Sequence, residues 1–307
     1  MDLRHLRCFL AVAEELHFAR AAERLHIDQS PLSRTIKELE EELGAALFLR
    51  TTRNTRLTRA GRMFLEHVPR VFVVLEQARA SVCDAAAGYH GQLRVALSDA
   101  LGLGFGRLSA LMAVCRQEDP DVSIRLFEVS LTQQIKGLHD DLYDVGFAQS
   151  ADVGDGILAM PAWRDAVHVA LPARHPLLSY RRIPLEEVLR YPLVMGDPRF
   201  CEGYCCQIEH ILRTVNQRPL VAEQVMSLDL MLAIVSAGLA LGLAGASEIV
   251  SSRNSGIVAR PLAGRVPMLT TYLLRPEGSP SERLARFIER VIEPPAKGCR
   301  TTLLSSG

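Results

Sequence analysis

The sequence predicts two differently built parts: an N-terminal all-α unit carrying a short β wing, and a C-terminal α/β unit, joined by one long helix. Two patterns predict this. Up to about residue 87, apolar residues recur at spacings of three and four, the period of a helix. After Gly91, short apolar runs alternate with helical stretches, as in a sheet covered by crossover helices. Gly88 and Gly91 stand between the two and mark a hinge.

Leu3 to Leu16 reads as a first amphipathic helix, with Leu6, Phe9, Leu10 and Ala13 inward. Two further helical patterns follow across a very short break. Phe18, Ala21, Ala22 and Leu25 share one face of the first; Leu32, Ile36, Leu39 and Leu43 share one face of the second. Ile27, Asp28 and Gln29 link them. Asp28 is placed to cap the second helix, and Pro31 suits a first turn, where an N–H is not needed. Ala21 and Ala22 allow close approach at a steep angle. This is a helix-turn-helix, whose second helix fits a DNA major groove. Gln29, Ser30, Ser33, Arg34 and Lys37 remain on its outer side, and Gln and Arg can pair with base edges. Arg50, Arg53, Arg56, Arg59 and Arg62 follow, with no acidic residue between Gly44 and Leu65. Residues 51–58 read as a two-stranded wing turning at Asn54, its cations set to neutralise phosphates. From Ala60 to about Ala87, Phe64, Val68, Val71, Leu75, Ala78 and Val82 form a heptad seam that predicts helix pairing.

These residues resemble the LysR-type transcriptional regulators. The matching segments are MDLRHLRCFLAVAEE, ARAAERLHIDQSPLSRTIKELEEELGAALFLRT, and RLTRAG ending at Gly61. The likeness is weaker after about Gly91, and the first half is most similar to regulators of aromatic-compound degradation. The resemblance implies an all-α winged helix-turn-helix, a long linker helix, and a C-terminal two-lobed α/β effector domain like periplasmic solute-binding proteins, assembled as a homotetramer. It implies base reading by Gln29, Ser30, Pro31, Ser33 and Arg34, and wing contacts by Arg50 and Arg53. His17 stands where a small or polar residue is commoner, and Asp28 where Ser or Thr is. The implied domains are 1–58 for DNA, 59–90 for the linker helix, 91–293 for the effector, and a disordered tail over 294–307. Lobe I takes 91–161 and 265–293; lobe II takes 162–264, with crossings near Pro161 and Gly264.

Formal charge is zero over 307 residues, which does not exclude DNA binding, because placement matters more than the total. Residues 1–62 hold eleven basic and nine acidic residues, the basic ones clustered at the end. No apolar run approaches a membrane span, and charges from Asp2 onward leave no signal-peptide core, so a cytoplasmic protein is expected.

In the α/β part, strands are predicted at 93–97, 122–129, 145–149, 166–171, 193–195, 221–225, 241–244, 258–262 and 268–274, interleaved with helices. Ligands of open α/β sheets sit at the carboxyl ends of strands, near helix N-termini that favour anions. Ser98 and Asp99 follow one strand, Ser130 and Thr132 a second, and Gly196 to Phe200 a third; the resemblance adds the region of Ser227. The expected ligand is a small anionic or aromatic effector, with Arg199 as counter-ion.

Cys201, Cys205, Cys206 and His210 form C-x3-CC-x3-H. A second reading is therefore a thiol-based redox-sensing regulator using those three cysteines. The spacing matches no standard zinc pattern, and no metal or cofactor is expected. No Gly-x-Ser-x-Gly elbow, Walker loop or HExxH occurs, so no enzyme is expected. The expected partners are double-stranded DNA with a dyad-symmetric operator, a small-molecule effector, further copies of the chain as dimer or tetramer, and RNA polymerase, with no membrane.

Overall fold

The computed structural model describes residues 1–50, 55–86, 89, 91–98, 105–215, 217–252 and 256–292. Chain contacts divide it into two compact units, 1–83 and 84–307. The tail predicted from 294 and the hinge residue Gly88 lie outside the described residues.

The first unit opens with α1 (Leu3–Glu15), α2 (Phe18–Arg24) and α3 (Gln29–Leu43). Asp2 starts α1 with a capping box shared with His5. Leu16 ends it in the left-handed region, at φ 48°. His17 caps α2, its Nδ1 accepting from the Arg20 N–H at 3.4 Å, so this departure from the commoner residue is a working cap. Asp28 takes the N-cap position of α3 but makes no side-chain cap, contrary to expectation. Pro31 sits at the third helical position, and its missing N–H removes one of the two donors such a cap uses. Leu32, Ile36 and Leu39 are fully buried as predicted, whereas Leu43 is exposed and Thr35 is buried instead. Gly44 closes α3 at φ 66°.

The wing is an antiparallel pair, β1 (Phe48–Arg50) and β2 (Thr55–Leu57), in register Phe48 to Leu57. It begins three residues before the predicted start. Glu40, late in α3, fixes it by accepting from the backbone N–H groups of Leu47 and Phe48 at 2.8 and 3.0 Å. α4 (Arg59–Ala86) follows. The Thr58 hydroxyl accepts from the Gly61 N–H at 2.9 Å and donates to the Ala46 carbonyl at 2.7 Å. A Cβ at Gly61 would lie 2.1 Å from the Leu47 carbonyl oxygen, so the glycine that ends RLTRAG lets the long helix touch the wing. Phe9 joins the parts, with ring centroids 5.4 Å from Phe48 and 4.9 Å from Phe64. The predicted heptad seam splits. Val68 is buried in this core with Phe64 packed against it, while Val71, Leu75 and Val82 are exposed. Pro69 lies inside the helix.

The second unit runs β3 (Gly91–Leu97), α5 (Phe105–Glu118), β4 (Val122–Glu128), α6 (Leu131–His139), β5 (Val145–Ala148) and β6 (Ile157–Pro172). Next come a 3-10 turn at Pro176–Ser179, α7 (Leu185–Val188), β7 (Leu193–Gly196), α8 (Glu202–Leu212), β8 (Val221–Val225) and α9 (Leu228–Ser236). β9 (Leu241–Gly245), α10 (Ala246–Ser251), β10 (Ile257–Pro261), β11 (Met268–Pro276) and α11 (Glu282–Ile292) complete it. The strands form one hydrogen-bonded path, β4-β3-β5-β11-β6-β9-β7-β8, with β10 paired to β6. The sheet mixes both strand directions, where alternating strands and crossover helices alone would make it mainly parallel. Pairs at both outer ends are parallel (β3 with β4 and β5, β7 with β8 and β9), while the central β5-β11-β6-β9 ladder is antiparallel. β6 and β11 carry the chain between lobes, each lobe with its own core. One gathers around Val95, Phe147 and Phe287; the other around Val169, Leu193, Tyr204 and Met231.

Candidate nucleic-acid interface and ligand cavity

Burial of Leu32, Ile36 and Leu39 turns the opposite side of α3 to solvent. Gln29, Ser30, Pro31, Arg34 and Lys37 are exposed there, and Ser33 is half-buried. Lys37 faces Glu41 one turn on at 3.4 Å, with both side chains well exposed, a pair too weak to hold it from a stronger anion. Among the described residues no acid pairs with Arg34. Arg56, Arg59 and Arg62 are exposed beside the wing, and Arg62 donates to the Leu57 carbonyl at 3.0 Å. Arg50 ends β1; its side chain and the whole of Arg53 lie outside the described residues. Exposed amide, hydroxyl and guanidinium groups on one rigid helix, with a cationic wing beside it, can read base edges and hold phosphates.

The predicted effector residues of the second unit stand where neighbouring strands end. Val129 N–H donates to the Leu97 carbonyl at 2.9 Å, bringing Ser98 and Ser130 side by side. Asp197 N–H donates to the Val225 carbonyl at 2.9 Å, bringing Gly196 and Ser227 together in the other lobe. Their side chains are largely engaged. Ser98 is buried and donates to Gln134 Oε1 at 2.8 Å. Ser130 caps α6, accepting from the Gln133 N–H at 3.2 Å. Ser227 caps α9, accepting from the Leu230 N–H at 3.3 Å. Thr132 is exposed in the first turn of α6. The space a Cβ at Gly196 would need is taken by Tyr204 and Cys205. Arg199 grips Asp197 with both Nε and Nη2, the latter at 2.6 Å, and this bond holds the Asp197 carboxyl below its ordinary range. The pairing cancels the aspartate charge, which would otherwise oppose an anion, and equally occupies the expected counter-ion. The Arg199 guanidinium also lies 5.6 Å from the exposed Phe200 ring. Asp99 lies outside the described residues.

A cavity of about 900 Å³ opens between the lobes, and none of the seven described residues among the predicted effector contacts lines it. Its walls include Gln149 after β5, Arg164 on β6, Cys206, Gln207 and His210 on α8, and Thr270 on β11. Gln207 crosses between lobes. Its Nε2 donates to the Gln149 and Thr270 carbonyls at 2.6 and 2.8 Å, and its Oε1 accepts from the Thr270 N–H at 2.8 Å. The signal for Gln207 was present in the sequence. It lies three residues after Tyr204 and four before Ile211, on the buried stripe of α8, where an amide must find partners.

The cysteine cluster divides. Cys201 and Cys205 are buried, their thiols 3.7 and 3.2 Å from the carbonyls of Met226 and Gly196, whereas Cys206 is exposed on the cavity wall. Among the described residues no group of three or more His, Cys, Asp or Glu is placed to hold a metal, and no helix is long and apolar enough to cross a membrane.

Residues 3–62 match the model of the bacterial regulatory helix-turn-helix protein, lysR family, and residues 86–294 match that of the LysR substrate binding domain. The chain is 33% identical over 273 residues to the HTH-type transcriptional regulator XapR of Escherichia coli strain K12, covering 87% of this chain and 89% of that one. Among solved structures it is similar to CbnR, a LysR family transcriptional regulator, with a TM-score of 0.75 and 25% identity over 95% of this chain and 98% of that one. Full-length CbnR complexed with its target DNA gives a TM-score of 0.72 and 26% identity over 95% and 99%.

Proposed function

The chain belongs to the LysR family of bacterial transcriptional regulators, and from that premise we propose that it binds operator DNA through α3 and the wing and is switched by a small ligand held between its two α/β lobes. The single observation that carries the first half is the sidedness of α3. Leu32, Ile36 and Leu39 are fully buried, while Gln29, Arg34 and Lys37 face solvent beside a row of arginines. The exposed Val71, Leu75 and Val82 of α4 support pairing of long helices, which sets two reading heads on one dyad-symmetric operator. Higher assembly to a tetramer and contact with RNA polymerase extend the same reading, as do action in the cytoplasm and the absence of catalysis.

For the second half, the inter-lobe cavity supplies the room, and Arg164, Arg265 and Gln207 on its walls supply guanidinium and amide donors, a setting that suits a small carboxylate. In vitro selection from random duplexes, followed by footprinting, tests the reading. Enrichment of an inverted repeat protected on both halves is expected; recovery of no preferred sequence at low salt overturns it.

A further inference from the structure

β5 pairs with β11 at Tyr272, Leu273 and Leu274 and ends at Ala148. β11 continues back to Met268 with β6 along its other side. At Thr270 the outer edge of β11 thus presents a backbone N–H and carbonyl beyond the end of β5, and a buried edge of this kind needs partners. The Gln207 carboxamide supplies them. It accepts from the Thr270 N–H and donates to the Thr270 carbonyl, both at 2.8 Å, the two-bond exchange a neighbouring strand residue makes. Its second N–H reaches the carbonyl of Gln149, one residue past β5, at 2.6 Å. Two donors and one acceptor on one planar group is the set a primary amide carries. Gln207 rides on α8, which packs on β7 in one lobe, while Gln149 belongs to the other. All three residues line the inter-lobe cavity.

We propose that Gln207 is a latch between the lobes, and that ligand entry acts by drawing its carboxamide away from Thr270 and Gln149. This rests on the reading of the cavity as the effector site. A ligand carboxylate accepts from the Gln207 N–H groups but has no proton to donate to the two carbonyls it uncovers. It therefore opens the latch without replacing it, and binds the open arrangement better than the shut one. Release frees α8 to shift against the crossing strands, which changes how the chain occupies DNA.

The test needs no ligand. Gln207→Glu places a carboxylate against two carbonyls, and Gln207→Met keeps the length and removes every bond. Hydrogen exchange at the Thr270 amide is followed in the full chain, together with the length of DNA protected on a duplex selected by the wild-type chain. At pH 8 both variants should exchange at Thr270 about tenfold faster, the loss of roughly one hydrogen bond's protection, and should change the protected length. At pH 5.5 the glutamate variant should regain protection, because its carboxyl, kept protonated by the facing carbonyls, again donates to one and accepts from Thr270. The methionine variant should stay open at both. Unchanged exchange, loss without recovery at low pH, or fast exchange with wild-type DNA protection would each overturn the latch. Failure of the wild-type chain to select any duplex would overturn the regulator reading instead, and the exchange measurements would still decide whether the lobes are tied through Gln207.

Discussion

Ser98 Oγ donates to Gln134 Oε1 at 2.8 Å, and both residues are buried. Gln134 Nε2 donates to the Ala96 and Phe147 carbonyls at 2.8 and 3.1 Å, so one amide staples the ends of β3 and β5. A Cβ at Gly146 would stand 2.2 Å from that nitrogen, which explains the glycine in β5. Ser98→Ala leaves a buried acceptor short of its donor and should cost about 1–2 kcal/mol. Gln134→Leu strips more bonds and should cost about 2–3 kcal/mol. Urea unfolding followed through Trp163, the single tryptophan, suits the measurement, since its ring stacks 4.7 Å from that of Phe147. An unmoved midpoint in Ser98→Ala would show the hydroxyl to be spare and return it to the ligand site.

Arg34 and Arg56 should fail differently when truncated. Arg34 lies on the exposed face of α3, the face proposed to meet base edges, so Arg34→Ala should relax preference at one position of each half-site by about 1–3 kcal/mol. Arg56 stands on the wing strand β2, and Arg56→Ala should weaken every duplex alike and reduce the salt slope by about one unit. Competition binding against single-base operator variants, repeated over a salt series, separates the two. Uniform loss with Arg34→Ala would make it a phosphate contact, and an unchanged slope with Arg56→Ala would take β2 out of the interface.

What the sequence disclosed follows the strength of its periodic signals. β8 was legible to the residue, and α1 and α3 nearly so, because one face of each helix is apolar and Pro219 stands just before the strand. The first half of β6 was not. Ile157 to Ala166 contains Pro161 and buries no clean alternating face; its place is set by backbone pairing with β11, to which a side-chain pattern is blind. α10 escaped because six residues directly after β9 leave no room for a helical period. The ligand residues were the least legible. Ser130 and Ser227 precede helices, and a cap asks for the same hydroxyl in the same place as a ligand contact does. Gln134 and Gln207 carry the better signal, an amide on the inward stripe of a helix, where the bonds it must make reach between strands.

The cysteine partition predicts a thiol titration. Cys206 and Cys83 are exposed, while Cys8, Cys115, Cys201 and Cys205 are buried, and burial raises the Cys8 and Cys115 thiols above their ordinary range. Native protein treated with a disulfide reagent and mapped by mass spectrometry should label Cys206 and Cys83 fast, and the four buried thiols only in denaturant. A peroxide-induced, reversible bond between Cys201 and Cys205 would restore the redox reading, at the expense of the carbonyl partners both now hold.

His168 gives the second unit an acid sensitivity whose sign is fixed by its surroundings. Its Nδ1 is shut off from solvent without a hydrogen-bond partner among the described residues. Desolvation lowers its pKa below the ordinary 6.5, and Asp165 opposes the shift only in part. As pH falls, the unfolded chain therefore takes up this proton before the folded one does. The stability of the neutral imidazole is complete above pH 6.5 and is lost progressively below it. His175, also lowered by burial beside Tyr191, adds a slope of the same sign. Urea midpoints at pH 5, 6, 7 and 8 should fall on the acid side in the wild type, less steeply in His168→Phe, and least in the variant that also carries His175→Phe. Parallel curves for all three would place the titrating group elsewhere, since replacing a neutral ring by an apolar one removes the proton without changing any other charge.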